Sequence, residues 1–181
     1  MSTVTDDDRG GARAPPRAAP RDPDASRRAA LAPHPRTPLK DRPMSRWTTQ
    51  ELITRLQATF GAENVEEVPT ADAAIQVTLP ESGDLGITIA LTDREIFVST
   101  PLVESGQVRD AHGFNEACLR LNPINPLSNL GLTTINDRDV YIVFGEMAPD
   151  SSAEQIELEI RTLADNAIDA VEALKSYLVS A

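Results

Sequence analysis

A chain of 181 residues with a formal net charge of −11, 4% aromatic residues, two His and one Cys has the size of one domain with an appendage. Its acidity repels nucleic-acid phosphates and anionic lipid headgroups, and so few rings leave little for base stacking, so no nucleic-acid partner is expected. No run of about eighteen apolar residues occurs, so no membrane span is expected, and the single Cys118 excludes an internal disulfide and fits a reducing, cytoplasmic compartment.

The composition changes near Met44. Residues 1–43 contain eight of the fourteen Pro, nine basic residues and six Asp, a net charge of +3. Residues 44–181 carry eight basic and 22 acidic residues, a net charge of −14. A segment as poor in apolar side chains as 1–43 cannot offset the entropy of ordering its backbone, so it is read as a disordered Arg/Pro/Ala-rich tail. No apolar h-region follows its Arg residues, which argues against a secretory signal. Two readings stay open: a basic interaction arm, or an upstream extension with Met44 as the natural start. Residues 44–181 are read as one α+β domain.

In that body the first element is a helix from Thr48. Thr48 and Glu51 have capping-box spacing, Gly61 suits the position after the last turn, and Leu52, Ile53, Leu56 and Phe60 share a face. Trp47 precedes the cap and can staple onto that face. A short strand is possible to draw over 64–68. Alternation then predicts strands over 74–79, with Ile75, Val77 and Leu79 inward, and over 85–91, with Leu85, Ile87, Ile89 and Leu91 inward. Residues 95–103 give the next strand, with Pro101 near its end where an edge position tolerates the missing donor. Short turns make these three an antiparallel meander.

A second helix is predicted over 109–121, with Phe114, Ala117, Cys118 and Leu121 as its core stripe. Gly113 weakens it by about 1 kcal/mol relative to Ala. Strands over 130–136 and 140–147 flank Asn136–Asp139 as a hairpin. The last helix has Ser151 and Glu154 at capping-box spacing and Ile156, Ile160, Leu163, Ala167, Ala170, Leu174 and Tyr177 on one face. Leu158, Ile168, Val171 and Leu178 widen that face, and Glu154, Glu157 and Glu159 are read as early acids complementing the helix dipole. The sheet and a second copy of the chain, making a homodimer, are the two candidates to cover so wide a face. The order α-β-β-β-α-β-β-α implies a mostly antiparallel sheet of about five strands with helices packed on it.

Catalytic chemistry is hard to assemble from these residues. His112 and Cys118 are six apart on one helix, out of i, i+4 register, and Cys118 lies on the apolar stripe. One His and one Cys make a zinc site improbable, Asp137-Arg138-Asp139 lacks calcium-loop grammar, and no phosphate-cradling Gly motif occurs. Glu66 and Glu67 are read as a solvated acidic face rather than an acid/base pair. No catalytic residue, metal or cofactor is therefore expected. One loop stands out: LNPINPLSNLGL, residues 121–132. Pro123 and Pro126 bias Asn122 and Asn125 away from the α region, which suffices for a two-step helix-to-strand connection. The competing reading makes Asn122, Asn125, Ser128 and Asn129 a polar recognition loop.

PLSNLGL (126–132), VYIVFG (140–145) and LADNAIDAVEAL (163–174) carry a resemblance. Over about 45–180 the chain resembles a YjfI-like family of small bacterial proteins whose genes often lie beside those of phage-shock-protein-A-like membrane-stress proteins. The element order also resembles type III secretion chaperones, α+β homodimers that hold a partner polypeptide. The resemblance implies a non-enzymatic adaptor or chaperone-like protein with a protein partner, a phage-shock-protein-A-like protein being the named candidate. The alternative is a small-ligand binder or enzyme using the 122–129 loop. A third reading is an oligomerising scaffold with the tail as its arm.

Overall fold

A computed structural model describes residues 47–68 and 74–179; the readings made for the tail, 1–43, lie outside the described residues. Among these residues three α-helices, α1 (Thr49–Phe60), α2 (Ala111–Leu121) and α3 (Ala153–Leu174), accompany six strands. These are β1 (Val65–Val68), β2 (Ala74–Leu79), β3 (Leu85–Leu91), β4 (Ile96–Glu104), β5 (Asn129–Ile135) and β6 (Arg138–Met147). They form one antiparallel sheet in the order β1-β2-β3-β4-β6-β5. The sheet has six strands rather than about five because the short 65–68 segment pairs fully with β2, Val65 opposite Val77.

Alternation decides which face is inward. Ile75, Val77, Ile87, Ile89, Ile96, Val98 and Val143 are all buried and join Leu52, Leu56, Phe114, Ile156, Ile160 and Leu163 in a single core. All three helices bury their apolar faces in that cluster. Each fully buried Leu, Ile or Val contributes about 1.5–3 kcal/mol. The opposite sheet face bears Gln76, Thr88, Ser99, Phe97 and Phe144, with the two rings stacked at 5.6 Å.

Helix ends follow local chemistry. At α1, Thr48 Oγ1 accepts from the Glu51 N–H at 3.2 Å, and the Glu51 carboxylate accepts from the Thr48 N–H at 2.9 Å. Gly61, at φ 95°, closes this helix in a conformation that disfavours side chains. At α3 the cap is Ser152 with Gln155, not Ser151 with Glu154. Both pairs have the same spacing, and the choice is made by Ser151, whose N–H donates to the Ala148 carbonyl and whose own carbonyl accepts from Trp47 Nε1 at 2.9 Å. α3 stops at Leu174, and Tyr177 sits in a following turn with its ring edge-on to Phe114. The β5–β6 turn places Asn136 and Asp137 at φ 50° and 60°, the left-handed pair of a two-residue hairpin.

β4 lies inside the sheet, so Pro101 is not on an edge strand. Its β3 ladder ends at Ser99, however, and Thr100 Oγ1 donates to the Gly86 carbonyl at 2.8 Å where the ladder would have continued. The register against β6 then slips between Pro101 and Val103, bulging Leu102 out.

Candidate functional site

The loop between α2 and β5 is held from both sides. Asn122 reaches across to Leu130: its Oδ1 accepts from the Leu130 N–H at 2.7 Å and its Nδ2 donates to the Leu130 carbonyl at 3.3 Å. The amide thus imitates one more strand residue and fixes where β5 begins. Farther along, the Ser128 N–H donates back to Pro126 at 2.7 Å around Leu127, whose φ is +63°, a region costly for a side chain with a Cβ. Asn166 of α3 secures this reversal by donating to the Pro126 carbonyl at 2.8 Å and to Ser128 Oγ at 2.6 Å.

The four candidate recognition residues therefore do different things. Asn122 and Ser128 spend their polar groups inside the protein, and Ser128 is buried. Asn125 buries its Nδ2 without a hydrogen-bond partner. Asn129 is exposed and pairs with Phe144 at the start of β5. What the segment turns outward is apolar. Of the nine large apolar side chains exposed among the described residues, five belong to residues 119–135: Leu119, Ile124, Leu127, Leu132 and Ile135. Among the described residues no strand pairs with the far side of β5, so this apolar set lies beside an open sheet edge.

A cleft of about 270 Å³ lies where this loop meets the N-terminal half of α3 and the end of β6, lined by Leu127, Glu146, Met147, Gln155, Leu158 and Glu159. Glu159 is 3% exposed, its Oε1 has no hydrogen-bond partner, and burial raises its pKa. It fits only because residue 145 is glycine: a Cβ there would lie 1.8 Å from Glu159 Oε1. Glu159 is thus not the solvated, dipole-complementing acid expected at the start of α3. The signal was its spacing, three residues after Ile156 and four before Leu163, which puts it on the core face. Asn166, seven residues on, lies on the same line and was also not singled out from the sequence.

On the other side of α3, the bulge in β4 opens an apolar groove. One part, about 390 Å³, is lined by Leu85, Pro101, Leu102, Ala167, Ile168 and Val171. Its continuation, about 210 Å³, shares Leu102 and Val171 and reaches Phe114, Leu174 and Leu178. The surplus apolar face expected on the last helix is this one: Ile168 and Val171 remain exposed.

The groups with catalytic potential stay apart. Cys118 is buried, and desolvation pushes its thiol up to about 11. His112 is exposed on the first turn of α2, and Glu66 and Glu67 are exposed on β1. Among the described residues no cluster of three or more His, Cys, Asp or Glu could hold a metal ion, and no helix is long and apolar enough to cross a membrane.

Comparison with known proteins fits this architecture. The chain is 34% identical to the uncharacterized protein YjfI of Escherichia coli K12 over 131 residues, 72% of this chain and 97% of that one. Among solved structures, YbjN from E. coli has the same fold, with a TM-score of 0.56 at 15% identity, covering 76% of this chain and 99% of that one. A weaker likeness, TM-score 0.42 at 14% identity, is to a chain of the heterodimeric ExoU–SpcU complex from the type III secretion system of Pseudomonas aeruginosa, covering 68% of this chain and 98% of that one. The model of DUF2170, uncharacterized proteins conserved in bacteria, matches residues 46–178, and the chain belongs to that family.

Proposed function

We propose that this protein is a non-enzymatic adaptor that holds a protein partner against the α2–β5 segment and the open edge beside it. One observation carries the reading: five of the nine large apolar side chains exposed among the described residues fall within residues 119–135, next to a strand whose edge beyond the Asn122–Leu130 clamp pairs with no strand among those residues. Leu132 and Ile135 lie on opposite faces of β5 and so flank its edge. Exposed apolar side chains suit an interaction surface, and an edge strand can receive an extended segment through main-chain hydrogen bonds. In this reading the recognition loop works through Ile124 and Leu127 with Asn125 and Asn129 beside them, while Asn122 and Ser128 hold its shape. The setting is cytoplasmic, and the named candidate is a phage-shock-protein-A-like coiled-coil protein, on the strength of the family resemblance.

The test is site-specific photocrosslinking in the native host, with p-benzoylphenylalanine at Ile124 or Leu132 and, as a control, at Glu63. A discrete protein adduct at 124 and 132 but not at 63 is the expected result. No adduct at either position would sink the adaptor reading. Small-molecule binding lost in Asn129→Ala would then favour a ligand-binding loop.

A further inference from the structure

The cleft over Glu159 has a more specific chemistry than the apolar surface around it. Its floor is a carboxylate that is almost wholly buried, with an oxygen that accepts no hydrogen bond. Among the described residues no cation pairs with it, although Arg55 and Arg161 on neighbouring surface are engaged with Glu157 and Glu81. Its walls are Leu127, Leu158 and Met147, with Glu146 of β6 also bordering it. Leu127 and Leu158 are both more than half exposed and form apolar lips.

A buried acceptor without a donor costs free energy that an incoming donor recovers, and a charged donor recovers most. Apolar walls ending in a carboxylate match an aliphatic stem ending in an ammonium or guanidinium group. At about 270 Å³ the cleft has room for one long side chain and not for a helix. The body around it is strongly acidic, which favours the approach of a basic segment.

We infer that this cleft receives a lysine or arginine side chain of a partner polypeptide, with Glu159 as its counter-ion and Leu127 and Leu158 closing on the residues to either side. This rests on the adaptor reading and names one recognition element within it. The occupant is extended, because the cleft is bordered by the 122–129 loop that leads into the open β5 edge.

The experiment uses the full chain, ¹⁵N-labelled, titrated with the capped tripeptides Leu-Lys-Leu, Leu-Arg-Leu and Leu-norleucine-Leu. The basic peptides should perturb the amides of Gly145, Met147, Leu158 and Glu159 and bind about tenfold tighter than the norleucine peptide, the factor one charge-assisted hydrogen bond supplies. Glu159→Gln, which keeps the shape and removes the charge, should abolish that preference. Leu127→Asn, which suits the positive φ, should weaken all three peptides by about threefold through the lost apolar lip. Equal binding of basic and neutral peptides, an unchanged preference in Glu159→Gln, or no perturbation by any peptide would overturn the inference. Spermidine binding as tightly as the basic peptides would reassign the cleft to a free amine. Failure here with cross-linking at 124 and 132 intact removes this site and leaves the adaptor role standing.

Discussion

Glu159 is a carboxyl group whose ionisation the fold opposes. Its carboxyl is desolvated between α3 and Gly145, and the proton is held more tightly folded than unfolded. The native state therefore binds more protons than the unfolded state above the ordinary carboxylate pKa, and stability falls as pH rises through that window. Glu159→Gln should raise the melting temperature at pH 7–8, and the gain should shrink towards pH 4. A gain independent of pH would mean that the carboxylate is not the cause. Cys118 makes a complementary case. With its thiol at about 11 and buried beside Phe114, it should carry on the order of a hundredfold less thiolate than a free cysteine at pH 8. Iodoacetamide should label it only after denaturant is added, as read by intact mass. Cys118 was legible as a core residue from its place on the apolar stripe. Glu159 was not, because a charged residue among other acids at a helix start reads as surface until Gly145, fourteen residues earlier, is known to lie beneath it.

At the scale of elements, the loop at 122–129 separates two kinds of polar residue. Asn122 ties α2 to β5 through both backbone groups of Leu130, so Asn122→Ala should cost about 1–2 kcal/mol in urea denaturation. Asn129 is exposed, and Asn129→Ala should stay within about 0.5 kcal/mol. Equal costs would show that the clamp is not what fixes the start of β5. Alternating residues made β2, β3 and β4 readable, and the Thr48–Glu51 box and the α2 stripe at Phe114 and Cys118 were equally plain. Those signals are local. The missed ones depend on distant partners. Ser152 is chosen over Ser151 as the α3 cap through Trp47, more than a hundred residues away. The β4 bulge depends on where its pairing with β3 ends, at Ser99. The Asn122 clamp is visible only once β5 is in place. The proline and asparagine residues did signal the helix-to-strand connection, although Asn122 keeps α-helical dihedrals, φ −50° and ψ −43°, ahead of Pro123 rather than leaving that region. The loop's outward apolar side chains stand in the same twelve letters.

At the scale of the whole body, residues 44–181 combine a net charge of −14 with apolar surface at two places. One is the segment 119–135 with the cleft beside it, and the other is the groove along the C-terminal half of α3 where β4 bulges. Charge over the whole surface and apolar area in a few patches favour partners that are basic and extended, since attraction speeds encounter and apolar contact holds the complex. Association should therefore slow as salt rises, with dissociation changing much less. Stopped-flow mixing of the chain with its cross-linked partner at two ionic strengths checks this, and an equal effect on both rates would contradict it.

The two ends of the sheet are not equivalent. β1 is four residues long, and its two middle residues, Glu66 and Glu67, are exposed. β5 is seven residues long and holds no charged side chain. Like charges resist strand pairing at the first end, and nothing of the kind resists it at the second. A sheet with one receptive end can lengthen only once. If two copies meet β5 to β5, the pair is related by a two-fold axis, presents only acidic ends, and stops growing. Sedimentation at rising concentration should then level off at no more than twice the monomer mass, and the same strand occupied by a partner would leave no place for the second copy.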